Sequence, residues 1–164
     1  YGMGLPMGRL KTGTPPRIKL SSLNLEVMDE QPGDLPTPFM SSLQKQHAHP
    51  KQLSCYITRT SATTKKIIEE DLHLSAMYSG QIHGIGPRYC PSIEDKVVKF
   101  KNKDTHQVFI EPEGVNTDLV YPNGISSSLP IETQDQFVRT ITGLEDSVIT
   151  EYGYAVLFGL VGGG

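Results

Sequence analysis

The residue types best suited to chemistry crowd into one stretch, Gly84-Ile85-Gly86-Pro87-Arg88-Tyr89-Cys90-Pro91-Ser92-Ile93-Glu94-Asp95-Lys96. Two glycines and Pro87 make a tight loop in which backbone can come close to a ligand. Pro91 suits the first position of a helix, which makes Cys90 the expected N-cap. A thiol there meets the positive end of the helix and the neighbouring Arg88, and both favour the thiolate. Free amides at such a helix end also suit a phosphate or pyrophosphate. Arg88 can add a bidentate phosphate contact, Tyr89 can stack on a ring, and Lys96 can reach toward an anion. The competing reading is an ordinary loop whose cysteine packs as a small hydrophobe, as most free cysteines do.

Other candidates carry less. Gly84-x-Gly86 runs into Pro87 and never completes a G-x-G-x-x-G, so it is no dinucleotide fingerprint. The closing run Gly159-Leu160-Val161-Gly162-Gly163-Gly164 has no helix behind it and reads as a linker or a truncation. Glu111 and Glu113 flank Pro112 and form a candidate acid/base pair, with a solvated strand end as the alternative. His83 precedes Cys90 in the same loop and is a candidate base for it, against the plainer reading of a surface histidine. Cys55 opens a strand and reads as structural. Two cysteines and five scattered histidines provide neither a disulfide framework nor a metal-ligand spacing, so no metal is expected. No Gly-x-Ser-x-Gly elbow or P-loop is present.

The elements that must position these residues are short. Gly8-Arg9-Leu10-Lys11-Thr12 is a strand candidate in a turn-rich opening that holds Gly2, Gly4, Gly13, Pro15 and Pro16. Residues 28–54 carry four prolines and few apolar anchors and are expected to form a long mobile loop. Cys55-Tyr56-Ile57-Thr58-Arg59-Thr60 alternates as a strand, with Tyr56 and Thr58 on one face. Ser61 can cap a helix over 62–72 with Ile67, Ile68 and Leu72 inward. In the helix after Cys90, Ile93, Val97 and Phe100 recur at i, i+4 and i+7, and Asp95 and Lys99 form a favourable i,i+4 pair. Gln107 to Glu111 reads as a strand and Tyr121-Pro122-Asn123-Gly124 as a tight turn. A third helix is expected from near Pro130 to Ile141, with Gly143 ending it. Together these predict an α/β or α+β fold, a mixed β-sheet with about three helices.

Composition narrows the classes. In 164 residues, 15 Lys plus Arg stand against 18 Asp plus Glu, a formal net charge of −3. That excludes a module binding nucleic acid through bulk charge, so any RNA contact needs a local patch. No apolar run is long enough for a membrane helix, and the chain opens on Tyr1 with no leader pattern. Unpaired cysteines suggest a reducing compartment.

Taken together, GRLKTGTPPRI (8–18), CYITRT (55–60), SAMYSGQIHGIGPRYCPSIEDK (75–96), HQVFIEPEG (106–114) and VYPNGISSSLP (120–130) resemble the MnmG/GidA family, flavoproteins of tRNA wobble-uridine 5-carboxymethylaminomethyl modification. The resemblance runs in the family's order from about Gly8 to Ala155. It implies part of a FAD/NAD-binding flavoprotein fold and an enzyme that uses FAD and NADH on uridine 34 of tRNA. It further implies a methylene-tetrahydrofolate carbon donor, glycine or ammonium as nitrogen source, an MnmE-family GTPase partner, a homodimer, and a bacterial cytoplasmic or mitochondrial location. The family's NAD-binding segment carries over to Gly86, Pro87, Arg88, Tyr89, Cys90, Pro91, Ser92, Ile93, Glu94, Asp95, Lys96, Val97, Val98, Lys99 and Phe100. Its catalytic cysteine corresponds to Cys90, acting by attack or proton transfer at the uracil ring. Thr12, Gly13, Thr14 and Arg17 correspond to flavin-side residues.

The resemblance also divides the chain into a flavin-domain segment (1–27), the loop (28–54), an NAD-binding insertion domain (55–145) and a return segment with a Gly-rich tail (146–164). The family's amino-terminal FAD fingerprint with its cysteine, and its carboxy-terminal helical region, have no counterpart here, so the isolated chain is expected to be inactive. Lys65 stands where the family usually has His, Ser61 where Asn is common, and Val156-Leu157-Phe158-Gly159 departs from an acidic family segment. Two other classes compete with this reading. One is a non-catalytic dinucleotide-binding or partner-docking module, and the other a separate thiol enzyme built on Cys90 and His83.

Overall fold

The computed structural model describes residues 7–39, 41, 43, 49–84, 86 and 89–161. Expectations placed on Gly2, Gly4, His47, Ile85, Pro87, Arg88, Gly162, Gly163 and Gly164 lie outside the described residues. In chain order the strands are β1 (Met7–Gly13), β2 (Arg17–Lys19), β3 (Asp29–Gln31), β4 (Cys55–Arg59), β5 (Gln107–Pro112), β6 (Leu119–Asn123), β7 (Ile149–Glu151) and β8 (Ala155–Val161). The helices are α1 (Ala62–Asp71), α2 (Ile93–Lys99) and α3 (Ile131–Val138). The expected sheet with three helices is therefore present. Six strands form one sheet in the order β3-β4-β5-β6-β2-β7, while β1 and β8 form a separate two-stranded ribbon. Each of these pairings is antiparallel.

Local sequence explains much of this. Thr58 is buried and Tyr56 packs against the core, so β4 turns the face bearing both inward. In β5, Val108 and Ile110 are buried and Phe109 between them is exposed, the period-two signature of a half-buried strand. Ser61 caps α1 in a reciprocal box with Thr64, which frees Ile68 to enter the core fully. α1 lies against α2 and α3. The core joins Ile18, Ile68, Ile93, Val97, Val108, Ile110, Val120 and Phe137 across sheet and helices.

Several expectations are corrected. Residues 29–31 lie inside the segment expected to be a loop, yet pair with β4 as an edge strand, Glu30 opposite Tyr56. Tyr121-Pro122-Asn123 is not a turn but the end of β6, Pro122 opposite Ile110. The turn comes at Gly124, whose φ of +109° favours glycine and where a Cβ would meet the Gln107 carbonyl oxygen at 2.8 Å. α3 ends at Val138 rather than Ile141. Phe100, expected on the buried face of α2, is 48% exposed, because the helix stops at Lys99 and Phe100 leaves helical geometry. The segment 156–159 continues as β8, pairing with β1 from Gly13↔Ala155 to Met7↔Val161.

At the root of the ribbon the chain is tightly fastened. The Thr14 N–H donates to the Tyr154 carbonyl (2.9 Å), and Thr14 bridges Ser127. Buried Gln134 donates to the Leu129 and Gly153 carbonyls (2.8 and 2.9 Å) and accepts from the Gly153 N–H (2.8 Å). A side chain at Gly153 would strike the Thr14 carbonyl oxygen, so this crossing needs glycine.

Candidate functional site

Cys90 is not the N-cap of α2. Ser92 is, in a capping box where its hydroxyl accepts from the Asp95 N–H (3.1 Å) and the Asp95 carboxylate accepts from the Ser92 N–H (3.3 Å). The Ile93 N–H donates to the Ser126 carbonyl at 2.8 Å. The expected anion site made of free helix-end amides is therefore spent in part on the chain itself. A Ser-x-x-Asp box satisfies two donors at once, and that outweighs the preference of Pro91 for the first helical position.

Cys90 is instead an exposed thiol lying just ahead of the helix. The fold brings to it residues that are remote in sequence. The Thr12 hydroxyl of β1, 78 residues away, donates to Cys90 Sγ at 3.7 Å. Lys96 and Tyr121 lie close enough for electrostatic coupling to the same sulfur. Burial lowers the Lys96 ammonium pKa and Cys90 opposes that shift, while Lys96 Nζ donates to the Gly124 carbonyl at 2.7 Å. Burial raises the Tyr121 phenol pKa, the Arg17 charge lowers it, and Cys90 and Glu111 add to the rise. The Arg17 guanidinium stands 4.4 Å from the Tyr121 ring centroid. The result is a thiol beside a hydroxyl, a half-buried ammonium and a phenol, with a guanidinium over the phenol ring.

The remaining candidates separate. Of the flavin-side residues, Thr12 alone hydrogen-bonds to Cys90 among the described residues. Gly13 is buried against Ser127, and the Thr14 hydroxyl accepts from the Tyr154 N–H at 3.3 Å. Arg17 pairs with Glu113 and donates to the Pro15 carbonyl at 2.7 Å. Glu111 accepts from Asn123 at 3.2 Å while Glu113 serves Arg17, so the two glutamates do not act as a pair. His83 is exposed, and among the described residues no hydrogen bond joins it to Cys90. Tyr89 is 86% exposed, at the loop surface. Half-buried Cys55 sits apart in β4, its thiol pKa raised first by burial and then by Glu111. Among the described residues no group of His, Cys, Asp or Glu is placed to hold a metal ion, and no helix is long and apolar enough to cross a membrane.

Glu94, two residues past the cap, is fully buried and anchors the whole arrangement. One carboxyl oxygen accepts from Ser75 Oγ (3.0 Å), Ser127 Oγ (3.2 Å), the Ser128 N–H (2.8 Å) and Ser128 Oγ (3.4 Å). The other has no partner among the described residues. Alongside it, Tyr78 donates to Asp95 at 2.8 Å, and burial together with that carboxylate raises the phenol pKa. Lys11 of β1 donates to the Met77 carbonyl at 2.8 Å. These bonds fix α2 against β1, and with it the loop bearing Cys90. The sequence places Glu94 in the segment carried over as NAD-binding, but the structure buries it; the run Ser126-Ser127-Ser128 is the signal that a buried acceptor awaits those donors.

The sequence profile of the family described as glucose inhibited division protein A matches residues 1–161, a range that includes the departing segment 156–159. The tRNA uridine 5-carboxymethylaminomethyl modification enzyme MnmG of Buchnera aphidicola subsp. Cinara cedri (strain Cc) is 57% identical over 150 residues, covering 92% of this chain and 24% of the relative. Aquifex aeolicus GidA in its form I crystal superposes with a TM-score of 0.81 at 45% identity, covering 96% of this chain and 27% of that one. The form II crystal gives 0.78 at 40% identity, covering 96% and 25%. The chain thus spans about a quarter of the length of these relatives.

Proposed function

The chain belongs to the glucose inhibited division protein A family, and from that premise we propose that it forms part of an enzyme that modifies the wobble uridine of tRNA. Cys90 is its reactive thiol, and the segment 86–100 contributes to a nicotinamide site through residues ahead of α2, since Ile93, Glu94 and Val97 are buried. The observation that carries this reading is the convergence on exposed Cys90 of Thr12, Lys96 and Tyr121 from three separate elements. A buried cysteine packing as a small hydrophobe would have no use for such neighbours. Lys96 and the Thr12 hydroxyl can stabilise a thiolate, which either adds to C6 of the uracil ring as the C5–C6 π pair moves toward the C4 carbonyl oxygen, or transfers a proton at the ring.

The cofactors fit with one restriction. Because the first amides of α2 are partly spent on the capping box and on Ser126, a dinucleotide would be held by side chains, exposed Tyr89 and half-buried Lys96 among them. Thr12 and Arg17 would face the flavin side. NADH would supply a hydride and FAD would accept and relay it when bound; the residues of this chain orient the substrate and hold the thiolate. The ribbon of β1 and β8, with its two strands paired, suits a module inserted in a longer chain. Because β2 and β7 lie in the same sheet as β4, β5 and β6, residues 17–19 and 149–151 go with the proposed nicotinamide domain rather than with flavin-domain segments 1–27 and 146–164. The same reading extends to a homodimeric, bacterial cytoplasmic enzyme working with an MnmE-family GTPase and a methylene-tetrahydrofolate carbon donor.

The test uses the full-length protein with Cys90→Ser. Expected is a loss of tRNA modification of at least about 100-fold, with an unchanged thermal midpoint and unchanged NADH binding. Normal modification by the variant would remove Cys90 from the chemistry and leave a binding module.

A further inference from the structure

Residues 96–103 hold four lysines and no acid, in a chain whose formal net charge is −3. Lys96 turns inward toward Gly124, but Lys99, Lys101 and Lys103 stand at the carboxy-terminal end of α2, where the chain folds into a turn closed by the Lys103 N–H on the Phe100 carbonyl (2.8 Å). α1 pins this turn. Lys65 Nζ donates to the Lys101 carbonyl at 2.6 Å and pairs with Asp104 at 3.2 Å, which spends that acid. Lys99 lies 3.9 Å from Asp95, whereas Lys101 and Lys103 have no acidic partner among the described residues. Phe100, exposed against the expectation of helical spacing, has the Lys103 ammonium 5.7 Å from its ring centroid. Val98, Lys99, Phe100, Lys101, Asn102 and Lys103 line an open concavity of about 560 Å³.

A held turn with unneutralised lysines around an exposed aromatic ring combines the two devices by which proteins grip single-stranded nucleic acid, cations for phosphates and a flat face for a base. We propose that this end of α2 is a landing surface for the sugar–phosphate backbone of the tRNA, with Lys101 and Lys103 meeting phosphates and Phe100 offering its face to an unpaired base. The inference rests on the reading of tRNA as substrate. It goes beyond that reading by placing the backbone contact at the opposite end of α2 from Cys90, about 10 Å away for a helix of seven residues. One rigid element then sets the distance between the reacting base and the phosphates that hold its strand. A net negative chain reaches a polyanion through a local patch of this kind.

The experiment titrates the full-length protein with tRNA by fluorescence anisotropy over a series of salt concentrations, comparing wild type with Lys101→Gln/Lys103→Gln, and with Lys101→Glu as an independent variant. NADH titrations run in parallel. Expected are tRNA binding weakened about 10-fold or more and a slope of log affinity against log salt reduced by about one per lysine removed, with NADH binding unaltered. Wild-type affinity and slope in both variants would overturn the landing surface while leaving the role of Cys90 intact. Parallel weakening of NADH binding would assign the lysines to the dinucleotide and overturn it as well. Failure of the wild-type protein itself to bind tRNA would overturn both readings together. Cys90→Ser is expected to bind tRNA as wild type does, which separates capture from chemistry.

Discussion

Glu94→Ala should be the most damaging single change near the site, and its cost can be worked from the bonds it breaks. The wild-type carboxyl oxygen takes four donors. After truncation Ser75 Oγ and Ser128 Oγ still have each other, at 2.7 Å. The Ser127 hydroxyl proton, the Ser128 N–H and one of those two hydroxyl protons have no replacement. Three stranded donors, near the lower end of about 1–3 kcal/mol each because Ser128 is only half-buried, give a loss of about 3–5 kcal/mol. For a chain of this size that corresponds to a fall of about 6–20 °C in the thermal midpoint. Glu94→Gln keeps an acceptor in the same place and puts its amide nitrogen where the second carboxyl oxygen already lacks a partner. It should therefore retain most of the stability, within about 1 kcal/mol of wild type. Thermal unfolding followed by circular dichroism at neutral pH, on wild type and both variants, is the assay. A Gln variant that melts as early as the Ala variant would refute the reasoning, since geometry of acceptance would then not be what Glu94 supplies.

Two further outcomes follow from titratable groups. Burial, with the Lys96, Lys103 and Lys65 charges adding to it, lowers the His106 pKa below its ordinary 6.5. Below about pH 6.5 the unfolded chain takes up a proton that the folded chain resists, so stability falls as pH drops from about 7 toward about 5. Melting curves across that range should show the slope, and His106→Asn should flatten it; an unchanged slope would assign it to other groups. The two thiols should also differ. Cys90 is exposed, whereas Cys55 is half-buried with its pKa raised. Iodoacetamide near pH 8, read by mass spectrometry, should label Cys90 faster by about 10-fold or more, and equal rates would contradict the described environments.

Local elements are legible in the amino-acid sequence. Ser61 with Thr64 caps α1, and the alternation of Cys55–Arg59 and of Gln107 onward marks β4 and β5, because caps and periodicities are short-range and each residue carries its own share of the signal. Where two local rules compete, the sequence does not arbitrate. Pro91 and Ser92 each offer a start for α2, and the reciprocal bonds of Ser92 and Asp95 decide it. Tyr121-Pro122-Asn123-Gly124 has the composition of a turn, but pairing with β5 holds its first three residues in the sheet. β3 has no apolar residue to announce it and pairs along the open edge of β4.

The loop around Cys90 also stands out from residue types alone, since glycine, proline, arginine and cysteine before a helix are a local pattern. What surrounds the sulfur is not legible in that pattern. Thr12 reaches it only because β1 returns beside the 84–90 loop, where a Cβ on Gly84 would lie 3.4 Å from the Lys11 nitrogen, and Tyr121 only through the register of β6 on β5 and β2. Likewise, nothing local marks Glu94 as a buried acceptor, and only the fold brings three serines from two other segments over it. Most of the elements, the cysteine-bearing loop and the family are written in neighbouring positions of the chain, where each signal is complete within a few residues. Which hydroxyl, ammonium and phenol share the space of that thiol is settled only by folding, because such company depends on pairing register and on buried hydrogen bonds between residues far apart in the chain.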